Sequence, residues 1–194
     1  TNKSYAIAKI AGIQLCNSFN NQYQTDYRSI MPSNLYGLND NYNLQNSHVI
    51  PALIMKFHSA KQKSKTSVTL WGTGTALREF LFVDDLAQAV VYALKNRLSD
   101  HLYNVGSGKD ITIKQLAKTI QKIVGHKGEI IWDSSKPDGT PRKLMDVSKM
   151  KDLGWSYSTE LDEGIEKTYK WFLKNVVKDT SENYKKLKIR QKIL

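Results

Sequence analysis

Asp26-Tyr-Arg-Ser-Ile-Met31, followed at once by Pro32-Ser-Asn-Leu-Tyr-Gly37, is the stretch from which the architecture can be read. The first six residues carry the β-branched and aromatic character of a strand, and the Pro, Asn and Gly of the next six are turn formers. Ahead of them lies Tyr5-Ala-Ile-Ala-Lys9-Ile-Ala-Gly12, an alanine-rich segment that predicts a helix to about Phe19, with Ile10, Ile13 and Leu15 among its apolar contacts. A helix followed by a strand that ends in a loop is the αβ half of a parallel-sheet unit, and such sheets bind ligands beyond the carboxyl ends of their strands. Loop 32–37 is therefore expected to be a binding edge. The Asn-rich stretch 38–47 has no periodicity and reads as an exposed excursion.

The opening helix also carries chemistry. Residues four apart are neighbours on a helix, so the Tyr5 hydroxyl and the Lys9 ammonium reach a common site. A phenol titrates near about 10, and a close cation favours the phenolate, so such a pair trades protons with a carbonyl or alcohol nearer neutrality. The spacing by itself is common, and other stretches must support the reading. Cys16 returns to nearly the same helical face as Tyr5 but lies roughly 16 Å further along the axis, too far to share its site; a buried structural thiol is expected.

Further along, His48-Val-Ile-Pro51 opens a predicted helix through about Ala60, with Pro51 in the first turn, where a missing N–H costs least. His48 stands at that entrance, where anions are favoured, and a lone histidine there is either structural or catalytic. Val68–Trp71 and Arg78–Val83 read as strands. Asp84 or Asp85 is expected to cap a helix from Leu86 to Asn96 with an apolar face of Ala87, Val90, Val91 and Leu94. Leu102–Gly106 is another strand. The Gly106-Ser-Gly108 that follows is not a dinucleotide fingerprint, because the third glycine position of that motif falls on Ile111. Thr112 is expected to cap a helix 113–124 with a regular stripe of Ile113, Leu116, Ala117, Ile120 and Ile123. Glu129–Trp132 makes a strand. Lys136-Pro-Asp-Gly-Thr-Pro-Arg-Lys143 then forms a cationic loop stiffened by prolines, which suits either a diphosphate or a solvated turn. Helices near 148–153 and 160–175 close the fold.

A chain of 194 residues with 40% hydrophobic and 24% charged residues is long enough to bury a sizeable core. No apolar run approaches the roughly 18 residues of a membrane span, and residues 1–20 lack signal-peptide character. One cysteine permits no internal disulfide, so the cytoplasm is the expected compartment. No metal centre is expected. The net charge of +11 points to an acidic partner, among them nucleic acid, anionic membrane and phosphorylated small molecules. Part of that excess is the basic tail, where Lys178, Lys185, Lys186, Lys188, Arg190 and Lys192 face only Asp179 and Glu182. No aromatic residue follows Tyr184 to stack on bases, which disfavours a nucleic-acid arm.

Six pieces, YAIAKIAG, DYRSIMPSNLYG, NSHVIPAL, WGTGTALREFLFVDD, NVGSG and KPDGTPRKLMDV, in this order and spacing, resemble the C-terminal part of the GDP-L-fucose synthases, extended members of the short-chain dehydrogenase/reductase family. The similarity runs from Tyr5 to about Asn175. It implies an α/β fold comprising the last strands and helices of a Rossmann-type parallel sheet and a small substrate-binding α/β domain, over residues 1–175, with 176–194 as a basic tail. It also implies NADPH-dependent 3,5-epimerisation and 4-keto reduction of GDP-4-keto-6-deoxy-D-mannose to GDP-L-fucose. Tyr5 would be the catalytic tyrosine and Lys9 the lysine that also holds the nicotinamide ribose. Pro32, Ser33, Asn34 and Leu35 would line the NADP site, with His48 beside it as the acid that protonates substrate carbon. Trp71 would pack near the guanine or sugar, Arg78 and Lys143 would neutralise the diphosphate, and Asp138 would accept a hydrogen bond. Lys56 stands where many relatives carry arginine, keeping the charge but losing the bidentate fork. The family's glycine-rich phosphate loop, active-site serine and epimerisation cysteine belong to an N-terminal half not found in this sequence, and Cys16, following the tyrosine, is not that cysteine. The expectation is one half of an enzyme, inactive alone, whose complete form is a homodimer. Another nucleotide-sugar epimerase or reductase of the superfamily, or a non-catalytic nucleotide or nucleic-acid binding module, is the alternative.

Overall fold

The helix and strand expected at the start are present in the computed structural model, which describes residues 3–96 and 98–177; the basic tail from 178 onward lies outside the described residues. Helix α1 (Lys3–Tyr23) runs a turn beyond Phe19. Its C-terminal end is tied down by Asn20, whose side chain accepts from the Tyr27 N–H (2.8 Å) and the Thr25 hydroxyl (2.9 Å) and donates to the Tyr27 carbonyl (2.9 Å). Ile13, Cys16 and Asn17 are half-buried, whereas Ile10 and Leu15, expected to pack, are each 59% exposed. Cys16 is likewise half-buried rather than enclosed.

Strand β1 (Ser29–Pro32) pairs in parallel with β5 (Leu102–Val105), from Ser29 opposite Leu102 to Pro32 opposite Val105. The expected loop 32–37 is in fact mostly strand. Ser33 N–H still donates to the Val105 carbonyl (2.9 Å), and then the Asn34 side chain donates to the Glu79 carbonyl (2.7 Å). The chain thereby changes partners, and β2 (Asn34–Tyr36) joins β4 (Leu77–Phe82) in parallel. On β4 the residues Leu77 to Glu79 also pair antiparallel with β6 (Asp110–Thr112), while Leu77 and Arg78 pair in parallel with β8 (Arg142–Lys143). A third, two-stranded parallel sheet joins β3 (Ser67–Trp71) to β7 (Glu129–Asp133).

Side chains alternate along a strand, so β4 serves two cores. Phe80 and Phe82 belong to the larger one, with Ile54 and Phe57 of α2 (Val49–Gln62), Leu116 and Ile120 of α4 (Ile113–Val124), and Ile165 and Phe172 of α6 (Leu161–Phe172). A π-helical turn, Leu173–Val177, follows α6. Leu81 points the other way, into a cluster with Tyr103 and Val105 of β5, Ala89 of α3 (Val83–Lys95) and Met150 of α5 (Ser148–Asp152). Helix α4 follows the sequence reading closely. Thr112 and Gln115 form a reciprocal capping box, and Gly125 ends the helix in the left-handed region at φ 76°.

Helix α3 departs from expectation. It begins at Val83, so Asp84 and Asp85 lie inside its first turn and neither caps it. Asp85 is buried instead, accepting from the Ser158 N–H (3.0 Å) and hydroxyl (2.7 Å) and from the Thr159 N–H (3.1 Å). The helix is apolar on two sides, and Leu86, Ala89 and Ala93, spaced three and four apart, face the core. The other stripe is exposed: Val90 by 40%, Val91 by 48% and Leu94 by 82%.

Between α2 and α6, the buried His58 ring nitrogen Nδ1 and the Tyr169 hydroxyl are 3.0 Å apart. Burial, and secondarily the Lys61 charge, hold His58 below the ordinary histidine range. The unfolded chain therefore takes up a proton that the folded chain resists, so stability rises with pH through this site. It is intact above the unfolded value of about 6.5 and lost as the pH falls below it. Thermal melts at pH 7.5 and 5.5 check this: the parent loses more stability on acidification than His58→Gln, and equal losses would refute the assignment.

Candidate functional site

The two sheets containing β1 and β4, together with α1, enclose an open cleft of about 1190 Å³. Tyr5 and Lys9 enter it from α1, and Pro32, Ser33, Asn34 and Leu35 from the β1–β2 crossover. His48 comes from the residue preceding α2, Trp71 from the end of β3, Arg78 from β4 and Asp138 from the segment between β7 and β8. Residues spread from position 5 to position 138 are thus gathered in one cleft because the chain leaves β1, visits β4 and returns.

Lys9 Nζ lies 5.4 Å from the Tyr5 ring centroid, the i,i+4 neighbourhood expected of the helix. Tyr5 is 68% exposed and lines the cleft. The Ser33 hydroxyl oxygen is buried and has no hydrogen-bond partner among the described residues. His48 is exposed and precedes the first turn of α2, where its carbonyl accepts from Ala52 N–H (3.0 Å) while its side chain makes no capping bond.

Trp71 is 71% exposed, with Lys56 Nζ 5.8 Å and Lys136 Nζ 6.0 Å from its ring centroid. Burial lowers the Lys56 pKa from the ordinary lysine value. An indole flanked by two ammonium groups suits a planar group attached to an anion. Lys56 stands beside this platform without lining the cleft, and Lys143, exposed on β8, is paired in register with Arg78. Arg78 Nη1 donates to the Leu77 carbonyl (2.7 Å). Asp138 is already occupied: it accepts from Thr73 N–H (2.7 Å), Thr73 hydroxyl (2.6 Å) and Gly74 N–H (3.4 Å), and these bonds hold its carboxyl below the usual range. It straps the 136–141 loop to the β3–β4 turn. The turn leaves no room for a side chain at Gly72, whose Cβ would meet Asp138 Oδ1 at 2.2 Å.

Thr73 and Lys136 were not singled out as site residues by the sequence. In sequence Lys136 reads only as one cation of a loop, and Thr73 gives no signal, since its role depends on a carboxylate 65 residues away.

The NAD dependent epimerase/dehydratase family matches residues 1–106. The chain is 51% identical over 185 residues to the GDP-L-fucose synthase of Escherichia coli (strain K12), covering 90% of this chain and 57% of that protein. It is 52% identical to the probable GDP-L-fucose synthase 1 of Oryza sativa subsp. japonica, covering 91% and 54%. Among solved structures, a GDP-L-fucose synthetase from Naegleria fowleri bound to NADP superposes with a TM-score of 0.85 at 29% identity, covering 91% of this chain and 57% of that one. MlghC, a GDP-mannoheptose C4 reductase from Campylobacter jejuni with NADP bound, gives 0.77 at 33% identity, covering 88% and 60%. The chain spans little more than half the length of the curated relatives it matches. A match over more than half of its residues, together with the mixed α/β, Rossmann-like arrangement of parallel strands described above, places the chain in the NAD dependent epimerase/dehydratase family.

Proposed function

We propose that this chain carries the tyrosine–lysine pair and the GDP-sugar site of an enzyme that makes GDP-L-fucose from GDP-4-keto-6-deoxy-D-mannose with NADPH. On this reading it works with an N-terminal half that supplies the glycine-rich phosphate loop, and the complete protein is a cytoplasmic homodimer. The observation that carries the proposal is the single cleft lined by Tyr5, Lys9, Ser33, His48, Trp71 and Arg78. The names of the relatives support the substrate and the cofactor.

NADPH, when bound, supplies the hydride that reduces the C4 ketone. The Lys9 ammonium, which lines the cleft beside Tyr5, fits its polar nicotinamide-ribose end. Tyr5 delivers its phenolic proton to O4, and the Lys9 ammonium beside it stabilises the negative charge left on the phenol oxygen. C3 and C5 flank the ketone, so their protons are acidic only while that ketone is present, and epimerisation must precede reduction. A base supplied by the N-terminal half takes the proton from C3 and from C5 to give the enolate of the ketone, and His48 returns a proton to the opposite face of each carbon. Arg78 and Lys143 neutralise the diphosphate, and Trp71 stacks on the guanine or sugar. The exposed Val90, Val91 and Leu94 stripe on α3, the exposed Ile7, Ile10 and Leu15 of α1, and the pairing of β1 with β5 alone among the described residues support a covering half. Similarity to a GDP-mannoheptose C4 reductase favours, as a second reading, reduction of another GDP-linked keto sugar.

Calorimetric titration with GDP tests the nucleotide site directly. Arg78→Ala weakens GDP binding by about tenfold or more, the loss expected for one charge-assisted contact. Unchanged affinity would refute the assignment of Arg78.

A further inference from the structure

Glu79 is 1% exposed, which is unusual for a carboxylate, because burying that charge is costly unless hydrogen bonds satisfy it. Its two oxygens divide their work. Oε1 accepts from Gly108 N–H (2.7 Å), in the turn between β5 and β6, and Oε2 accepts from Met145 N–H (3.1 Å), two residues beyond β8. The fit is tight, since a Cβ on Gly106 would stand 2.2 Å from Oε1.

These bonds reach the two strands that flank the first half of β4. Arg78 and Glu79 are consecutive and point to opposite faces, Arg78 to the cleft and Glu79 to the interior. Lys143 is the register partner of Arg78, so anchoring Met145 fixes the chain immediately after Lys143. Anchoring Gly108 fixes the start of β6, whose Asp110 accepts from Arg142 Nε at 2.5 Å. Asn104 adds a second tie, donating from Nδ2 to the Asp146 carbonyl at 3.0 Å.

We propose that Glu79 is a positioning residue for the diphosphate site, its buried carboxylate tying the β5–β6 turn and the segment after β8 to β4 so that Lys143 is held beside Arg78. This rests on the reading of Arg78 and Lys143 as the diphosphate clamp. Glutamine cannot take over the role: it has one acceptor oxygen, and its amide group would face a backbone N–H, donor against donor.

The test compares GDP and guanosine binding to the chain, by calorimetry and by NMR titration, in Glu79→Gln, Asn104→Ala and Arg78→Ala. A clamp that has lost its geometry weakens GDP and spares guanosine, whereas general destabilisation weakens both. Glu79→Gln is expected to lower GDP affinity about tenfold with guanosine affinity unchanged, and Asn104→Ala to do the same to a smaller degree. If Glu79→Gln does not fold, Asn104→Ala decides by the same ratio. An Arg78→Ala protein that binds GDP normally would refute the diphosphate reading itself. Selective loss in Arg78→Ala without selective loss in the other two would overturn the role of Glu79 alone, as would equal loss of both ligands.

Discussion

Tyr5→Phe, in a protein completed with an N-terminal half, lowers NADPH oxidation by the keto sugar by about 10²- to 10⁴-fold, the contribution of a positioned general acid. The substitution removes one oxygen from a side chain that is 68% exposed, so folding is not at stake. What it removes is the proton that O4 needs as the hydride arrives. Solvent deuterium still enters at C3 and C5 at near the parent rate, because those exchanges precede reduction and do not use the phenol. The pairing of lost reduction with retained exchange separates a proton donor from a residue that merely shapes the cleft, which would impair both. NADPH oxidation near the parent rate would withdraw the role of Tyr5.

His48→Asn has the complementary outcome. Deuterium incorporation at the epimerised carbons falls by about 10²-fold or more, and GDP-L-fucose formation falls with it. Asparagine keeps a polar side chain at the start of α2 but carries no titrating group at neutral pH. His48 makes no side-chain cap, so α2 loses no hydrogen bond and the melting temperature stays close to the parent's. The tyrosine–lysine pair is untouched, so an un-epimerised ketone can still be reduced, and NADPH consumption continues with the wrong stereochemical product. Normal deuterium exchange in His48→Asn would move the acid elsewhere.

The legible parts of this chain are those set by local rules. Thr112 and Gln115 announce their capping box three residues apart, the stripe through Ile120 has helical period, and Tyr5 and Lys9 meet because they are one turn apart on α1. What local rules miss is set by distant partners. Pro32 to Gly37 reads as a turn, yet Asn34–Tyr36 becomes a strand because β4, more than forty residues later, offers it a parallel edge. Helix α3 carries apolar residues on two sides, so periodicity alone could not say that Ala89 faces inward and Leu94 outward. Charged residues read as solvated by default, so local sequence does not mark Asp85 and Glu79 as the buried anchors for backbone N–H groups that they are. Asp138, which lines the cleft, also holds a loop through Thr73, a bond that local sequence does not announce.

Both α1, tied down at its end by Asn20, and α3 present apolar side chains to solvent. An α/β unit carrying a phosphate loop and a strand parallel to β1 would cover those side chains and bring the cofactor to the cleft. The most direct measurement joins the N-terminal portion of the Escherichia coli relative, up to the start of the matched region, in frame ahead of Thr1. The fusion protein is supplied with GDP-4-keto-6-deoxy-D-mannose and NADPH, and the products are identified by NMR. The expected product is GDP-L-fucose, formed with one NADPH oxidised for each molecule made. A folded fusion that binds NADPH and the keto sugar yet oxidises none, or that reduces C4 without inverting C3 and C5, would contradict it.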